Sequence, residues 1–490
     1  MARVKIQPKE TEVPFKIEDL IFSTTDEKGI IRSTNDVFLT MARYSPEEVL
    51  GEPHNIVRHP TMPKAVFHLY WSYIKQGKPI GAYVTNIASD GSYYRVYTLA
   101  TPLQDGYLAI RFKTTSKYRM VVSNLYREMC EFEAELSAQG KTTAELVVDS
   151  TALLNDRLHE LGFSDYDSFM NITLEEEMRC RDVQIRQAYS CDLWQRGALS
   201  ASDVLREPVD PRALLVLHLE RCCSVAGTLF SKIGSLLSLQ DQLNANAAAV
   251  MNVSKAFEMS SINVSLEATR LGKQAECLSV IANHLGESSQ RVCDLALSTQ
   301  SQILSTSESL GRAVFCIAAT RLQFETMLDF SRKNTESGEK PEQTWSDKLL
   351  DAHPRQRPGA VMVDLLEAAE NQQNTLFPTM KALIDDLVTL ESNIVSVKRS
   401  MLMMRFAQLG GKIESSRLDS DNDISTLVDS IGEDIVKTVR QISELESDLA
   451  TVATDLRTSF RQLNSLDGSL GDVREAAEAL SDAAPTKQAA

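Results

Sequence analysis

A step of three and four residues, starting at Leu219, constrains this chain more than any other feature. Positions 219, 222, 226, 229, 233, 236, 240, 243, 247, 250, 254 and 257 carry Leu, Cys, Ala, Leu, Ile, Leu, Gln, Leu, Ala, Val, Ser and Phe, and ten of the twelve are nonpolar. On a helix these positions form one narrow stripe, and a stripe sustained this long is the signature of a coiled coil. The small residues within it imply a close approach of the facing helix. An exposed run of Leu219, Leu229, Ile233, Leu236 and Leu243 is too long to leave wet, at roughly 25 cal/mol per Å² of apolar surface. The expectation is a homodimer whose hairpins pack as a helical bundle.

The chain has 490 residues, enough for several domains. Its formal net charge of -16 argues against nucleic acid or an anionic membrane as the main partner. No apolar run approaches the roughly 20 residues of a membrane-spanning helix. The start, MARVKIQPKETEVPF, lacks a signal-peptide core. Eight cysteines are scattered without a CxxC pair, which fits reduced thiols better than disulfides or zinc. These features together point to a cytoplasmic protein without membrane insertion. An enzyme is not expected. No glycine-rich nucleotide loop follows a strand, and no His/Asp/Glu cluster has metal spacing. His54 and His59 are five apart in an irregular stretch, so they do not form a helical metal pair.

Residues 1–117 read differently from the rest. Strand-like runs at 20–25 and 29–34 flank the turn DEKG. Asn35 opens a helical stretch, and Ser45-Pro46-Glu47-Glu48 has the form of a second helix start. Apolar residues at 66, 67, 70, 71 and 74 mark a longer helix over 62–75, which Thr61 can cap. Strands at 80–88, 93–103 and 107–115 follow, joined by Asp-Gly turns. Such an order can bury one face of an antiparallel sheet against helices and enclose a small cavity.

The segments STTDEKGIIRSTNDVF, YSPEEVLGEPHNIVRHPTMPKAVF and DGSYYRVYTLATPL resemble the PAS domain of bacterial aerotaxis receptors over about residues 20–115. The resemblance implies an α+β PAS domain, a five-stranded antiparallel sheet with flanking helices, that binds FAD and reports redox state. It implies that Arg58, His59, Trp71 and Asn86 serve the cofactor. A guanidinium suits pyrophosphate oxygens, and an imidazole or indole suits a flavin ring. Another small ligand, haem, or no ligand at all stays open. The chain departs from the family at Thr61, Ile80 and Arg95, where an Asp and two Trp are usual.

The segment SINVSLEATRLGKQAECLSVIANHL, residues 261–285, resembles the hairpin tip of methyl-accepting chemotaxis proteins. By that resemblance Asn263, Glu267, Arg270, Gln274 and Val280 are tip residues that contact other chemoreceptors, the coupling protein and the histidine kinase. Lys273, Glu276 and Leu278 depart from the family pattern. A second, weaker copy aligns LEATRL with IESSRL, pairing Leu266 with Ile413, Glu267 with Glu414 and Arg270 with Arg417. Further on, Leu285 and Gly286 pair with Ile431 and Gly432. Chance convergence on E-x-x-R is the alternative.

The expected organisation is a PAS sensor at 1–117, a helical connector at 118–210 and a chemoreceptor-like coiled-coil hairpin at 211–333. A linker at 334–358, a second helical hairpin at 359–470 and a flexible tail at 471–490 complete it. The expected function is signal transduction of the chemotaxis or aerotaxis type. The alternative is a structural or adaptor component of chemoreceptor arrays, or of another polar complex, that does not sense.

Overall fold

The computed structural model describes residues 6–192, 211–271, 276–336, 347–417 and 423–482. These fall into two compact units: Met1–Phe230 with Val314–Phe377 and Gln462–Ala490, and Ser231–Ala313 with Pro378–Arg461.

The first unit is organised around strands β1 (Ile21–Asp26), β2 (Ile31–Thr34), β3 (Ile80–Ile87), β4 (Tyr93–Leu103) and β5 (Gly106–Lys113). They form one antiparallel sheet in the order β2-β1-β5-β4-β3. Between β2 and β3 lie α1 (Asp36–Ala42), α2 (Pro46–Val49) and α3 (Lys64–Lys75). This is the expected α+β PAS architecture. Asn35 caps α1 by accepting from the Phe38 N–H, as expected. The Ser45 N–H donates to Glu48 at the start of α2, 2.9 Å away.

The start of α3 differs from the expectation. Thr61 does not cap it; Pro63 stands at that position. Its first N–H groups donate instead to the buried Glu133 carboxylate, Lys64 at 2.9 Å and Ala65 at 3.1 Å. Glu133 lies on α4 (Tyr118–Ala138) and also accepts from Ser150 of α5 (Thr143–Glu160). A carboxylate satisfies two orphan donors and the positive end of the helix dipole together, which one hydroxyl cannot do.

The sheet is covered on both faces. Helix α6 (Tyr166–Tyr189) lies on the face opposite α3. There the Tyr83 hydroxyl donates to Glu177 at 2.9 Å, the Thr115 and Ser116 N–H groups donate to the same carboxylate, and Tyr166 donates to the Gly81 carbonyl. Gln356 finishes the β2 edge. Its amide accepts from the Thr34 N–H and donates to the Thr34 carbonyl, both at 2.8 Å, as a further strand would.

Four long helices follow: α7 (Pro211–Leu271), α8 (Glu276–Glu336), α10 (Pro358–Arg417) and α11 (Asp423–Asp482), with the short α9 (Asp347–Ala352) before α10. Three expected boundaries move. The first hairpin runs on to Glu336, residues 347–356 of the expected linker hold α9 and a turn of 3-10 helix, and α11 continues to Asp482. Leu470, Val473 and Ala477 are buried, so residues 471–482 are packed helix, not tail. One membrane expectation also changes. Ala213–Gly234 of α7 has the length and mean hydropathy, 1.4, of a crossing helix, with half of it buried in the protein.

In the second unit every described position of the 219–257 stripe is buried, including Ala247, Val250 and Ser254. What covers them lies within the same chain. Ala247 and Val250 of α7, Ala296 and Ile303 of α8, Ile394 and Val397 of α10, and Ile442 and Leu445 of α11 surround one apolar gap of about 20 Å³. The second hairpin supplies the surface that a second copy would have supplied, so the stripe does not require a homodimer. Ser254 and Ser289 lock α7 to α8 by each donating to the other's carbonyl, at 2.7 and 2.6 Å.

The two hairpins repeat each other in register. Buried Ala247, Val250, Ser254 and Ser261 correspond to buried Ile394, Val397, Met401 and Gln408. Buried Val292, Ala296 and Ile303 correspond to Thr438, Ile442 and Leu449. Gly286 faces Ser261 in the first hairpin, and Gly432 faces Gln408, the equivalent residue, in the second.

Candidate functional site

Strand parity builds the site. Side chains alternate across a strand, so Ser23 and Thr25, Val84 and Asn86, Thr98, and Tyr107, Ala109 and Arg111 share the face of the sheet toward α3. They line a cavity of about 220 Å³, closed from the other side by Phe67, Tyr70, Trp71 and Ile74 of α3. Gly29 makes room for the indole. It has φ +78°, and a Cβ there would lie 2.9 Å from Trp71. The Trp71 ring meets Tyr107 edge-on, centroids 5.6 Å apart.

Of the residues expected to serve a cofactor, Arg58, Trp71 and Asn86 line this cavity. The Arg58 guanidinium lies 3.9 Å from the Phe67 ring centroid and donates to the Met62 carbonyl at 3.1 Å. Burial lowers its pKa, against the opposing pull of Glu133 and Cys130. His59 lies elsewhere. It lines a separate groove with Tyr83, Tyr93, Arg95 and Arg119. Its Nδ1 is 2.7 Å from the Thr61 hydroxyl, and its ring meets Tyr93 edge-on. Burial and the nearby Arg95 both lower its pKa.

Two cavity residues were not anticipated from sequence. Arg111 is 3% exposed and donates to Ser23 Oγ, the Ala109 carbonyl and His54 Nε2. His54 is held neutral, its pKa pushed well below the usual histidine range by burial and by Arg111. The run YLAIRFK could have revealed the arginine: Tyr107, Ala109 and Arg111 share a parity, so it had to face the cavity with them.

The cavity also holds a polar atom without a partner. The Thr98 hydroxyl is buried and lacks a protein group in hydrogen-bonding geometry. The Asn86 amide lies beside the Tyr94 phenol, its cross-strand neighbour, which it approaches as a donor. Buried polar groups are ordinarily paired, so this floor is built for a polar guest. An aromatic wall, a polar floor and the cations Arg58 and Lys28 in the lining suit a planar ring that carries an anionic group.

At the first tip, Asn263 and Arg270 are exposed on α7, and Val280 on α8 is 56% exposed. Glu267 belongs to α7, but its side chain is outside the described set, and Gln274 lies outside the described residues. At the second tip, Arg417 donates to Glu414 at 3.3 Å.

Residues 31–109 match the family described as PAS fold. Over 121 residues the chain is 36% identical to the aerotaxis receptor of Escherichia coli K12, a match that spans 24% of this chain and 24% of that protein. Among solved structures, the PAS domain of a protein from Colwellia psychrerythraea aligns at 22% identity, covering 20% of this chain and 86% of that one, with a TM-score of 0.17. The light-state Aureochrome1 LOV domain aligns at 17% identity over 22% and 89%, with a TM-score of 0.20. The long helical hairpins lie outside the family match, which ends at residue 109.

Proposed function

We propose that this chain is a cytoplasmic, non-enzymatic signal transducer of the aerotaxis type. Its PAS cavity holds FAD, and its hairpins carry the redox signal to a coupling protein and histidine kinase. The observation that carries the reading is the unpaired Thr98 hydroxyl next to the Asn86 amide, beneath the aromatic wall of α3. When bound, FAD would supply a reversible redox couple. Phe67, Tyr70 and Trp71 would exclude water from the ring, Asn86 and Thr98 would orient it, and Arg58 would meet the phosphates. The likeness to the aerotaxis receptor over the same region supports this. The exposed Asn263, Arg270 and Val280 support an output at the first tip.

The test is the visible spectrum of the purified full chain, with and without added FAD. Flavin bands are expected. Arg58→Ala should weaken FAD binding by about one to two decades, the worth of a charge-assisted contact. In cells the wild type should join chemoreceptor arrays, and Arg270→Ala should not. A chain that takes up no FAD but still joins arrays would favour the adaptor role.

A further inference from the structure

The cavity contains a cation whose hydrogen-bond partners are all neutral. The five N–H donors of Arg111 make three hydrogen bonds, to a serine hydroxyl, a backbone carbonyl and a neutral imidazole. The titratable groups that bear on it besides His54 are the phenols of Tyr70 and Tyr94. Buried guanidinium groups are ordinarily paired with carboxylates, because the charge is costly to desolvate alone. Two other buried arginines of this chain follow that rule: Arg181 pairs with Glu325, and Arg321 with Asp182 and Glu325. Among the described buried arginines Arg111 is the exception, and it is the one that lines this cavity.

Its neighbours share its polarity. Thr98 stands opposite Arg111 in the β4–β5 register. Its hydroxyl lacks a partner in hydrogen-bonding geometry and adds further capacity to the same wall, beside the Asn86 amide. A surface of this kind is complemented by acceptors and by negative charge, and by neither hydrocarbon nor a second cation.

We propose that Arg111 is the counter-charge for the buried end of the cavity's ligand, so that the site selects ligands presenting an anionic or acceptor-rich edge to the sheet. This rests on reading the cavity as a ligand site, and it deepens that reading by naming the ligand's charge. For a flavin, it favours the reduced form, whose ring carries an added negative charge near neutrality.

The test uses the purified full chain and two kinds of probe. Benzoate and benzamide are nearly the same shape and differ in charge. Saturation-transfer NMR and thermal shift should find benzoate preferred by the wild type. Arg111→Met should reduce the benzoate-to-benzamide affinity ratio by about tenfold or more, and Arg111→Lys should retain most of it. FAD is then titrated oxidised and dithionite-reduced. The ratio of reduced to oxidised affinity should fall about tenfold in Arg111→Met. Benzoate selection without FAD uptake would sustain the charge assignment and reject the flavin. FAD uptake with ratios unmoved by Arg111→Met would sustain the flavin and overturn the assignment. A wild type with no preference for benzoate overturns it whether or not Arg111→Met folds.

Discussion

Single charged side chains fasten this protein together, and they differ in whether burial is compensated. Glu133 is repaid by three donors from two elements. Asp364 is not fully repaid. It is 3% exposed, and burial raises its pKa from 3.8 to about 6 despite the Arg355 guanidinium 2.8 Å away. Asp105 and Glu367 push in the same direction as burial. A carboxyl group whose folded pKa is raised holds its proton in the native state after the unfolded chain has lost it. Its contribution to stability is therefore full below about pH 4 and declines as pH rises toward 6. Asp364→Asn removes this dependence. Relative to wild type, the variant should gain about 1–3 kcal/mol on moving from pH 4 to pH 7. Urea midpoints at the two pH values check this, and an equal difference at both refutes it.

Between elements, a buried ion cluster does the fastening. Arg181 of α6 and Glu325 of α8 are both fully buried and meet at 2.6 Å. Glu325 also accepts from Arg321, which donates to Asp182 of α6 at 2.7 Å. Arg181 lies 5.9 Å from the ring centroid of Phe112 on β5, so the cluster touches the sheet directly. Glu325→Gln would leave Arg181 without its carboxylate and Arg321 with Asp182 alone. A loss on the order of 3–5 kcal/mol is expected. Faster amide exchange in Tyr166–Tyr189 should accompany it. Unchanged exchange there would mean that α6 is held by its apolar contacts alone.

Legibility at this scale follows sequence distance. The strands are readable from their own alternation and turns, and the Asn35 cap and the Glu48 contact because their partners lie three residues away. The α3 cap is not, since Glu133 is 69 residues from Lys64. Arg58, Trp71 and Asn86 were reachable through the resemblance. His54 lacks metal spacing, and its partner Arg111 lies 57 positions away, beyond the reach of local pattern. The stripe from Leu219 is legible as a buried face, because periodicity reports that a face is covered. Periodicity does not report by what, and the covering helices α10 and α11 lie more than a hundred residues downstream.

For the molecule as a whole, a four-helix core closed within one chain makes helix formation a unimolecular event. Helicity by circular dichroism, and the thermal midpoint, should stay constant as protein is diluted. A bundle made from two chains would lose both by mass action. A midpoint that falls on dilution would restore the homodimer expected from the stripe alone. The same closure has an arithmetic consequence for sensing. A bundle assembled from two chains carries two sensory cavities, whose occupancies can reinforce or average one another. With one PAS cavity per four-helix core, the proposed signal would trace a simple hyperbola in ligand concentration, and a steeper response would point to association between chains.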